Sequence, residues 1–462
     1  MFDDTIAAIS TPLGEGGIGI VRISGPRAVA IAEEVFVPAA DRLWQRQKYK
    51  LIYGHIVDQT TGKTIDEVLL GNMPGPHSYT REDVVEINCH GGPVPLRKTL
   101  ELVLMAGARL AEPGEFSKRA FLNGRLDLAR AEAVIDIIRA TTEDALQLAV
   151  SQLSGRLSRE IDDILNELLA IVVLVEAAID FPEDEVEDYS PAKIKARLEK
   201  VTARVRELID SAETGKVYRE GIKTVIIGKP NVGKSSLLNV LLREKRAIVT
   251  EVPGTTRDII EEVLNLGGVP VVLIDTAGIR ETGDEVEKIG VARTLESIHQ
   301  AGLILLVVDA VTGLDAGDGE IMALVKNKLG ILVINKIDLD DGETVRIKDE
   351  LSLALPDWPV VEISALLEQG IKGLEQTVVE LVTGGRSLPR EGAMVSNIRH
   401  KKQLVTATRH LKEAREAIEA GHTPELVAVD IRAAWEAVGE INGRVVTEDI
   451  VDKIFADFCI GK

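Results

Sequence analysis

The 462-residue sequence predicts a multidomain protein: an N-terminal α+β domain, a discontinuous α-helical domain, and an α/β unit inserted between the two helical halves. Three observations predict this architecture. The hydrophobic period changes from strand-like to helical near Phe116, strands and helices alternate from Lys223 to about Leu381, and helical periodicity returns from there to the end. A chain of this length is also too long for a single core.

Each part has its own signature. From Thr5 to about Leu110, "GIGIVRIS" and "DVVEINCHGG" alternate or run β-branched between Gly/Pro turns, as in a compact α+β domain. Beyond Phe116, Leu126, Ala129, Ala133 and Ile137, and later Ile161, Leu165, Leu168 and Val172, recur at helical spacing as far as Asp180. The most apolar helical stretch, Leu168 to Ile179, is shorter than the roughly 20 residues of a membrane span and reads as a buried core helix. "FPEDEVED" then places five carboxylates in eight residues, a solvated loop in preference to a cation site. A further helix is expected from Pro191 to about Thr214, and after the linker "TGGRSLPREG" the pair Thr423-Pro424 supplies a helix start with a capping hydroxyl. The expected boundaries are 1–118, 119–217, 218–384 and 385–462.

Composition narrows the class. An apolar content of 45% and a net charge of −20 describe a soluble, cytoplasmic protein. Two cysteines, Cys89 and Cys459, cannot form a disulfide framework, and an acidic start without a basic stretch is not a signal peptide. Only 3% of residues are aromatic, which argues against stacked bases as the main mode of binding nucleic acid.

The strongest chemistry lies in "VIIGKPNVGKSSLLNVLL", a β-branched run, then Gly228-x-x-x-x-Gly233-Lys234-Ser235, then a helix. Backbone N–H groups of such a loop turn toward phosphate oxygens, and the helix N-terminus adds its dipole. Asn231, Val232, Gly233, Lys234, Ser235 and Ser236 form this cradle, with Lys234 reaching the β and γ phosphates and Ser235 ligating Mg²⁺. Thr255 and Thr256 follow at switch distance within Thr250, Glu251, Val252, Pro253, Gly254, Thr255 and Thr256. "VVLIDTAG" then supplies Asp275, Thr276, Ala277 and Gly278, the aspartate placed to hold Mg²⁺ through water. "LVINKID" supplies Asn335, Lys336 and Asp338, and "VEISAL" supplies Ser364 and Ala365 against the base. A carboxylate at Asp338 accepts hydrogen bonds from N1–H and the 2-amino group of guanine, a donor pair that adenine lacks. The unit is therefore predicted to be a P-loop GTPase binding GTP and GDP.

Ile279 stands where a signalling GTPase carries a water-orienting glutamine, and an apolar side chain cannot orient a nucleophile. Asp284, Glu285 and Glu287 in "RETGDEVEKIG" are the nearby carboxylates, and spacing does not choose among them.

These motifs, together with Asn231, "VPGTTRD", "PGEFSKRAFLNGRLDLARAEAVID" and the terminal "CIGK", closely resemble the MnmE/TrmE tRNA-modification GTPases over essentially the whole chain. The resemblance implies a homodimer formed through an N-terminal folate-binding-like domain that takes 5-formyl-tetrahydrofolate or a related folate. It implies an FAD-dependent MnmG/GidA-like partner in a heterotetramer, and tRNA as substrate, with an aminomethyl- or carboxymethylaminomethyl-type group added at C5 of the wobble uridine. It further implies G domains that dimerise when K⁺ is bound, the cation doing the work of an arginine finger. Carried over by motif, the K⁺ ligands are Asn231, Thr250, Val252 and Thr255. Ser235 and Thr256 bind Mg²⁺, and Glu287 orients water. The folate residues are Arg22, Glu86, Arg125 and Lys462, with Arg125 standing where the family commonly has lysine. Read from chemistry alone, Glu86 suits the donor edge of a pterin, while Arg22 and Glu86 equally suit a salt bridge between strands.

Two further readings belong beside these. A regulatory GTPase switch of the ribosome-assembly or signalling kind would explain the nucleotide motifs but neither the N-terminal domain nor the terminal cysteine. Lipid anchoring at Cys459 is disfavoured by Gly461 and Lys462. In the favoured reading, "TEDIVDKIFADF" docks through Ile450, Ile454 and Phe458 and delivers the tail. Gly461 would then approach a ligand closely, Lys462 would add charge, and Cys459 would be either a catalytic nucleophile or a packed thiol.

Overall fold

The structure, a computed structural model, describes residues 3–40, 43–181, 190–245, 262–274, 295–340, 342–386, 388 and 392–462. They fall into two compact units, one holding residues up to 135 and from 439 onward, the other holding 136–438. Among the described residues no helix is long and apolar enough to cross a membrane.

The first unit is built on β1 (Ile6–Ile9), β2 (Gly19–Ser24), α1 (Ala28–Val35), β3 (Phe36–Pro38), β4 (Leu51–Asp58), β5 (Lys63–Met73), β6 (Val84–Cys89), α2 (Pro93–Met105) and β7 (Arg109–Leu110). Its sheet runs β3-β4-β5-β6-β2-β1-β7, antiparallel except where β7 joins β1. Alternation along the strands decides what each face carries. Val21 and Ile23 of β2, with Val85 and Ile87 of β6, enter a core completed by Ile31 of α1 and Leu96 and Val103 of α2. The intervening Arg22 and Glu86 therefore face the other side. Register then aligns Ala8, Arg22, Glu86 and Gly71 in one row across four strands.

That second face is covered by α3 (Glu115–Leu122), followed by α4 (Leu128–Arg139). Phe116 is buried there with Ile6, Ala8 and Ala111. Arg119 of α3 is wholly buried and pairs with Asp4, Glu82 and Glu115. Burial alone would raise the Glu115 pKa, but hydrogen bonds from Arg109, the Glu112 backbone and Arg119 hold it below the ordinary value. The last helix, Glu448–Ala456, buries Val451 and Phe455, and Phe458 follows them into the interior. This corrects the expected stripe: Ile450 and Ile454 are only half-buried. Phe455 meets Phe121 and Phe458 at ring-centroid distances of 6.4 and 5.1 Å, so the buried places before Phe458 lie one residue later than expected, at Val451 and Phe455.

The second unit opens with α5 (Glu143–Leu153), α6 (Arg156–Asp180) and α7 (Pro191–Glu220). Ser190 caps α7 by accepting from Lys193 N at 3.2 Å. The helix runs past the expected end near Thr214. Gly215 lies mid-helix because Val395 O passes so close that an added Cβ would stand 2.0 Å from it. The apolar run in α6 is amphipathic and not wholly buried: Leu168, Ile171 and Val172 are inside, while Leu169 and Val173 are exposed. The acidic loop at 183–188 lies outside the described residues.

After α7 come β8 (Ile222–Ile227), α8 (Lys234–Lys245), β9 (Glu262–Leu266), β10 (Val269–Leu273), β11 (Leu303–Asp309), α9 (Ala316–Val325), β12 (Gly330–Asn335), α10 (Thr344–Ala354), β13 (Val360–Glu362) and α11 (Ile371–Thr383). The sheet order is β13-β12-β11-β8-β10-β9, parallel except for the β9–β10 pair. Every residue of β11 and β12 is buried, as expected when helices cover both faces. Leu305 and Val307 point into one layer of core, Ile304, Leu306 and Val308 into the other. The second unit ends with α12 (Ile398–Glu419), which packs along α7, and α13, which starts at Pro424 and runs to Asn442.

Candidate functional site

In the second unit β8 has β10 on one side and β11 on the other: the chain leaves β8 toward β9 and β10, then crosses from β10 to β11 on the opposite side. Open α/β sheets bind ligands at such a switch point. The loop after β8 carries Gly228 through Gly233 and delivers Lys234 to the first position of α8. Asn231 takes a left-handed conformation (φ 66°), and a Cβ on Gly233 would stand 2.1 Å from Asn335 Nδ2. Lys234 Nζ donates to Gly228 O at 2.8 Å and to Lys229 O at 2.6 Å. Burial holds its pKa below the ordinary lysine value, and an anion placed here would offset the cost of desolvating the ammonium.

The base-reading motifs assemble beside this loop. Asn335, at the end of β12, donates through Nδ2 to Val232 O at 2.9 Å and accepts through Oδ1 from Ala365 N at 3.0 Å. One buried amide thus joins the phosphate loop to the segment after β13. Ser364 is fully buried, and its hydroxyl accepts from Leu367 N at 3.1 Å. Lys336 (φ 66°) gives its ammonium to Asp309 Oδ2 at 2.6 Å. Asp338 follows in the 3₁₀ turn Ile337–Leu339, and its Oδ1 is buried without a hydrogen-bond partner among the described residues. A buried acceptor left open costs about 1–3 kcal/mol unless a ligand supplies the donor.

Thr250, Glu251, Val252, Pro253, Gly254, Thr255, Thr256, Asp275, Thr276, Ala277, Gly278 and Glu287 lie outside the described residues, as do Ile279, Asp284 and Glu285.

A second convergence occurs in the first unit. Arg22 Nε donates to Glu86 Oε1 at 2.8 Å, the cross-strand ion pair that their register allows. Arg22 Nη1 also donates to Gly461 O at 3.2 Å. The tail is held by a bridge between Pro113 and Ile460, by Gly114 N donating to Cys459 O at 3.3 Å, and by Phe116 N donating to Lys462 O at 3.2 Å. Gly461 has φ 92°, and an added Cβ would lie 2.4 Å from Ile9 O. The close approach expected of this glycine is thus made to its own chain. Burial first, then the Arg22 charge, pulls the Lys462 pKa down. Cys459 is exposed, so its thiol does not pack beneath the helix.

Two aromatic rings missed in the sequence complete this place. The Arg22 guanidinium lies 5.7 Å from the Tyr79 ring centroid and 5.6 Å from that of Phe116. Arg125 stacks on Tyr79 at 4.7 Å and donates to Tyr79 O at 2.8 Å. Tyr79 OH and Ser117 Oγ are 2.7 Å apart. Arg22 and Arg125 thus meet at one tyrosine from a loop the strand pattern left unassigned, with Glu86 paired to Arg22 and Lys462 within electrostatic reach of that pair.

Elsewhere in the second unit, His410, Glu413 and Asp430 cluster between α12 and α13. Arg409 has only donors and lies 3.1 Å from His410 Nε2, which puts the ring proton on Nδ1. Nδ1 lies 3.0 Å from Glu413 and 3.6 Å from Asp430 without a hydrogen bond to either, and the trio reads as a polar helix contact.

Comparison with known proteins accounts for both places in one chain. The MnmE helical domain matches residues 128–459, and the GTP-binding protein TrmE N-terminus matches residues 5–125. The chain belongs to the MnmE family of tRNA modification GTPases. It is 50% identical to the tRNA modification GTPase MnmE of Desulforamulus reducens over 463 residues, covering 100% of each chain. It is 51% identical to that of Geobacter sulfurreducens over 461 residues, covering 100% of this chain and 99% of the other. Among solved structures, a point variant of Aquifex aeolicus Era bound to GDP·AlF4⁻ is 31% identical over 41% of this chain and 66% of its own, with a TM-score of 0.29. In the MnmE family the nucleotide motifs and the TrmE-type N-terminus belong to one polypeptide, so both places are to be explained together.

Proposed function

We propose that this GTP hydrolase of tRNA modification is stimulated by potassium and works in the cytoplasm with an FAD-dependent, MnmG/GidA-like partner. Together they add an aminomethyl- or carboxymethylaminomethyl-type group at C5 of the wobble uridine of certain tRNAs, GTP hydrolysis driving the cycle. The observation that carries this reading is the docked tail: Gly461 and Lys462 meet the Arg22–Glu86 pair and Phe116, well apart in sequence from the nucleotide motifs. A switch acting only through partner binding has no use for such a place. Mass analysis of wobble uridines in tRNA from cells lacking the protein tests it. Full modification in their tRNA would leave the regulatory switch as the better reading.

In this reading Lys234 exchanges two carbonyl oxygens for phosphate oxygens, and Asp338 accepts from guanine. Ser235 and Thr256 would hold Mg²⁺, while Asn231, Thr250, Val252 and Thr255 would hold K⁺, hydroxyl and carbonyl oxygens suiting hard cations. Both ions would neutralise charge on the phosphates, and Glu287 would orient water. Glu86 would grip the pterin edge of a 5-formyl-tetrahydrofolate-type ligand, with Arg22, Arg125 and Lys462 nearby as cations. Exposed Leu51, Tyr53 and Leu69, on the paired strands β4 and β5, support a homodimer through the first unit. The functional division is 1–118, 119–217, 218–384 and 385–462.

Two outcomes follow for hydrolysis. GTP turnover is expected to be about tenfold or more faster in K⁺ than in Na⁺ at equal ionic strength, because a charge-neutralising group is otherwise lacking among the motifs. Equal rates in the two salts would sink the potassium mechanism. Glu287→Ala is expected to slow turnover by about a hundredfold with near-normal nucleotide affinity, since a water-orienting group acts in the transition state. Affinity falling as far as rate would make Glu287 structural.

A further inference from the structure

A buried carboxylate outside the nucleotide motifs is tied to the phosphate loop. Asp318, on the first turn of α9, is 1% exposed, and its Oδ2 lies 2.7 Å from Lys229 Nζ. Lys229 is the residue after Gly228, and its carbonyl is one of the two that hold Lys234. Asp315 also pairs with Lys229 at 2.7 Å, but its side chain is 63% exposed. Exposed pairs contribute little, whereas a buried carboxylate depends on its partner. The pair that matters is therefore Lys229–Asp318. Asp318 is fixed in turn by a capping box: Asp315 N donates to Asp318 Oδ2, and Asp315 Oδ1 accepts from Gly317 N and Asp318 N. At the other end of the same segment, Asp309 is buried, accepts from Val311 N at 2.9 Å, and holds Lys336 of the base-reading motif.

We propose that the segment from Asp309 to Asp318 is a positioning strut, fixing the phosphate loop through Lys229 and the base-reading loop through Lys336 so that both ends of the nucleotide site are set before ligand arrives. The inference rests on the nucleotide-site reading above and names the residues that preorganise that site. Asp309, Asp318 and Lys229 are positioning residues, each acting through the loop it holds. Because bound nucleotide itself orders the loop, losing the strut raises Kd while leaving turnover at saturation.

The test uses the full-length protein and a fluorescent GDP analogue. Binding of the analogue by the wild type is the check on the nucleotide-site reading itself. Asp318→Asn, nearly isosteric, is expected to raise its Kd about tenfold, the order for one charge-assisted hydrogen bond, while kcat at saturating GTP stays within about twofold. Lys229→Met is expected to raise Kd similarly, and the double variant to be no weaker than the weaker single, since both break one contact. Lys229→Arg, which keeps the charge, is expected to restore most of the affinity. Unchanged Kd in folded Asp318→Asn and Lys229→Met, strictly additive losses in the double variant, or kcat falling as far as affinity would each overturn the proposal.

Discussion

Replacing Cys459 with serine is expected to abolish tRNA modification while GTP hydrolysis and stability stay near wild type. The tail does not depend on the thiol for its place. Phe458 is buried, Ile460 bridges Pro113, Gly461 lies against Ile9, and Phe116 donates to Lys462. Among the described residues, the Cys459 atom with a holding role is its carbonyl oxygen, which accepts from Gly114 N and Lys462 N. Serine keeps that carbonyl and nearly the same volume, so the tail stays docked. What changes is nucleophilicity, since a hydroxyl without an adjacent base is a far poorer nucleophile than a thiol near neutral pH. The thiol is exposed and within electrostatic reach of the Lys462 ammonium, which is itself coupled to Arg22 and Glu86, the pair proposed to take the folate. Wobble-uridine analysis of complemented cells, with GTP turnover of the purified variant, measures both halves. A serine variant that modifies tRNA at full rate would make the tail a structural end. Removing Lys462 is the companion test, expected to weaken folate binding and leave GTP affinity unchanged.

The two places differ in how far they could be read from sequence, and the reason is physical. Phosphate binding uses backbone amides of one contiguous loop and the start of one helix, so Gly228 to Ser235 appears as a single motif. The residues proposed to read guanine likewise sit mostly together, Asn335 to Asp338 at the end of one apolar strand, with Ser364 and Ala365 after the next. The chemistry of the first unit is instead made by pairing. Arg22 and Glu86 meet because β2 and β6 are neighbours in register, a relation between residues 64 apart in the chain. Tyr79 and Phe116 come from a loop and from the first turn of α3, and neither has a periodic signature. Asp309 closes an apolar strand like any strand-end aspartate, and only the left-handed Lys336 backbone aims the lysine at it. Helix ends were blurred by tertiary contact: Gly215 looks like a terminator until Val395 is brought against it. The last helix shows the converse: Phe458 is buried as expected, but Val451 and Phe455 take the inside places expected of Ile450 and Ile454.

Asp338→Asn is expected to shift base preference from guanine toward xanthine, changing the ratio of GTP to XTP affinity by roughly 10⁴, the scale reached when a site built to pair a polar edge meets one that mismatches it. Asp338 Oδ1 is buried and has no hydrogen-bond partner among the described residues, so that oxygen is already withdrawn from water. Guanine offers N1–H and a 2-amino group, two donors for two carboxylate oxygens. Asparagine keeps one acceptor and turns the other into a donor, which leaves two donors facing each other over guanine. Xanthine presents N1–H beside a 2-oxo acceptor, the complement of the amide. Neighbouring structure is not expected to change. Asn335 carries the bonds to Val232 and Ala365, and Lys336 carries the one to Asp309, so Asp338 bears none of the links that hold the site together. Competition of GTP and XTP against a fluorescent guanine nucleotide gives the ratio directly, and melting of the nucleotide-free protein confirms that the fold is intact. A folded variant that still prefers GTP by the wild-type margin would remove Asp338 from base recognition and with it the guanine assignment of this site.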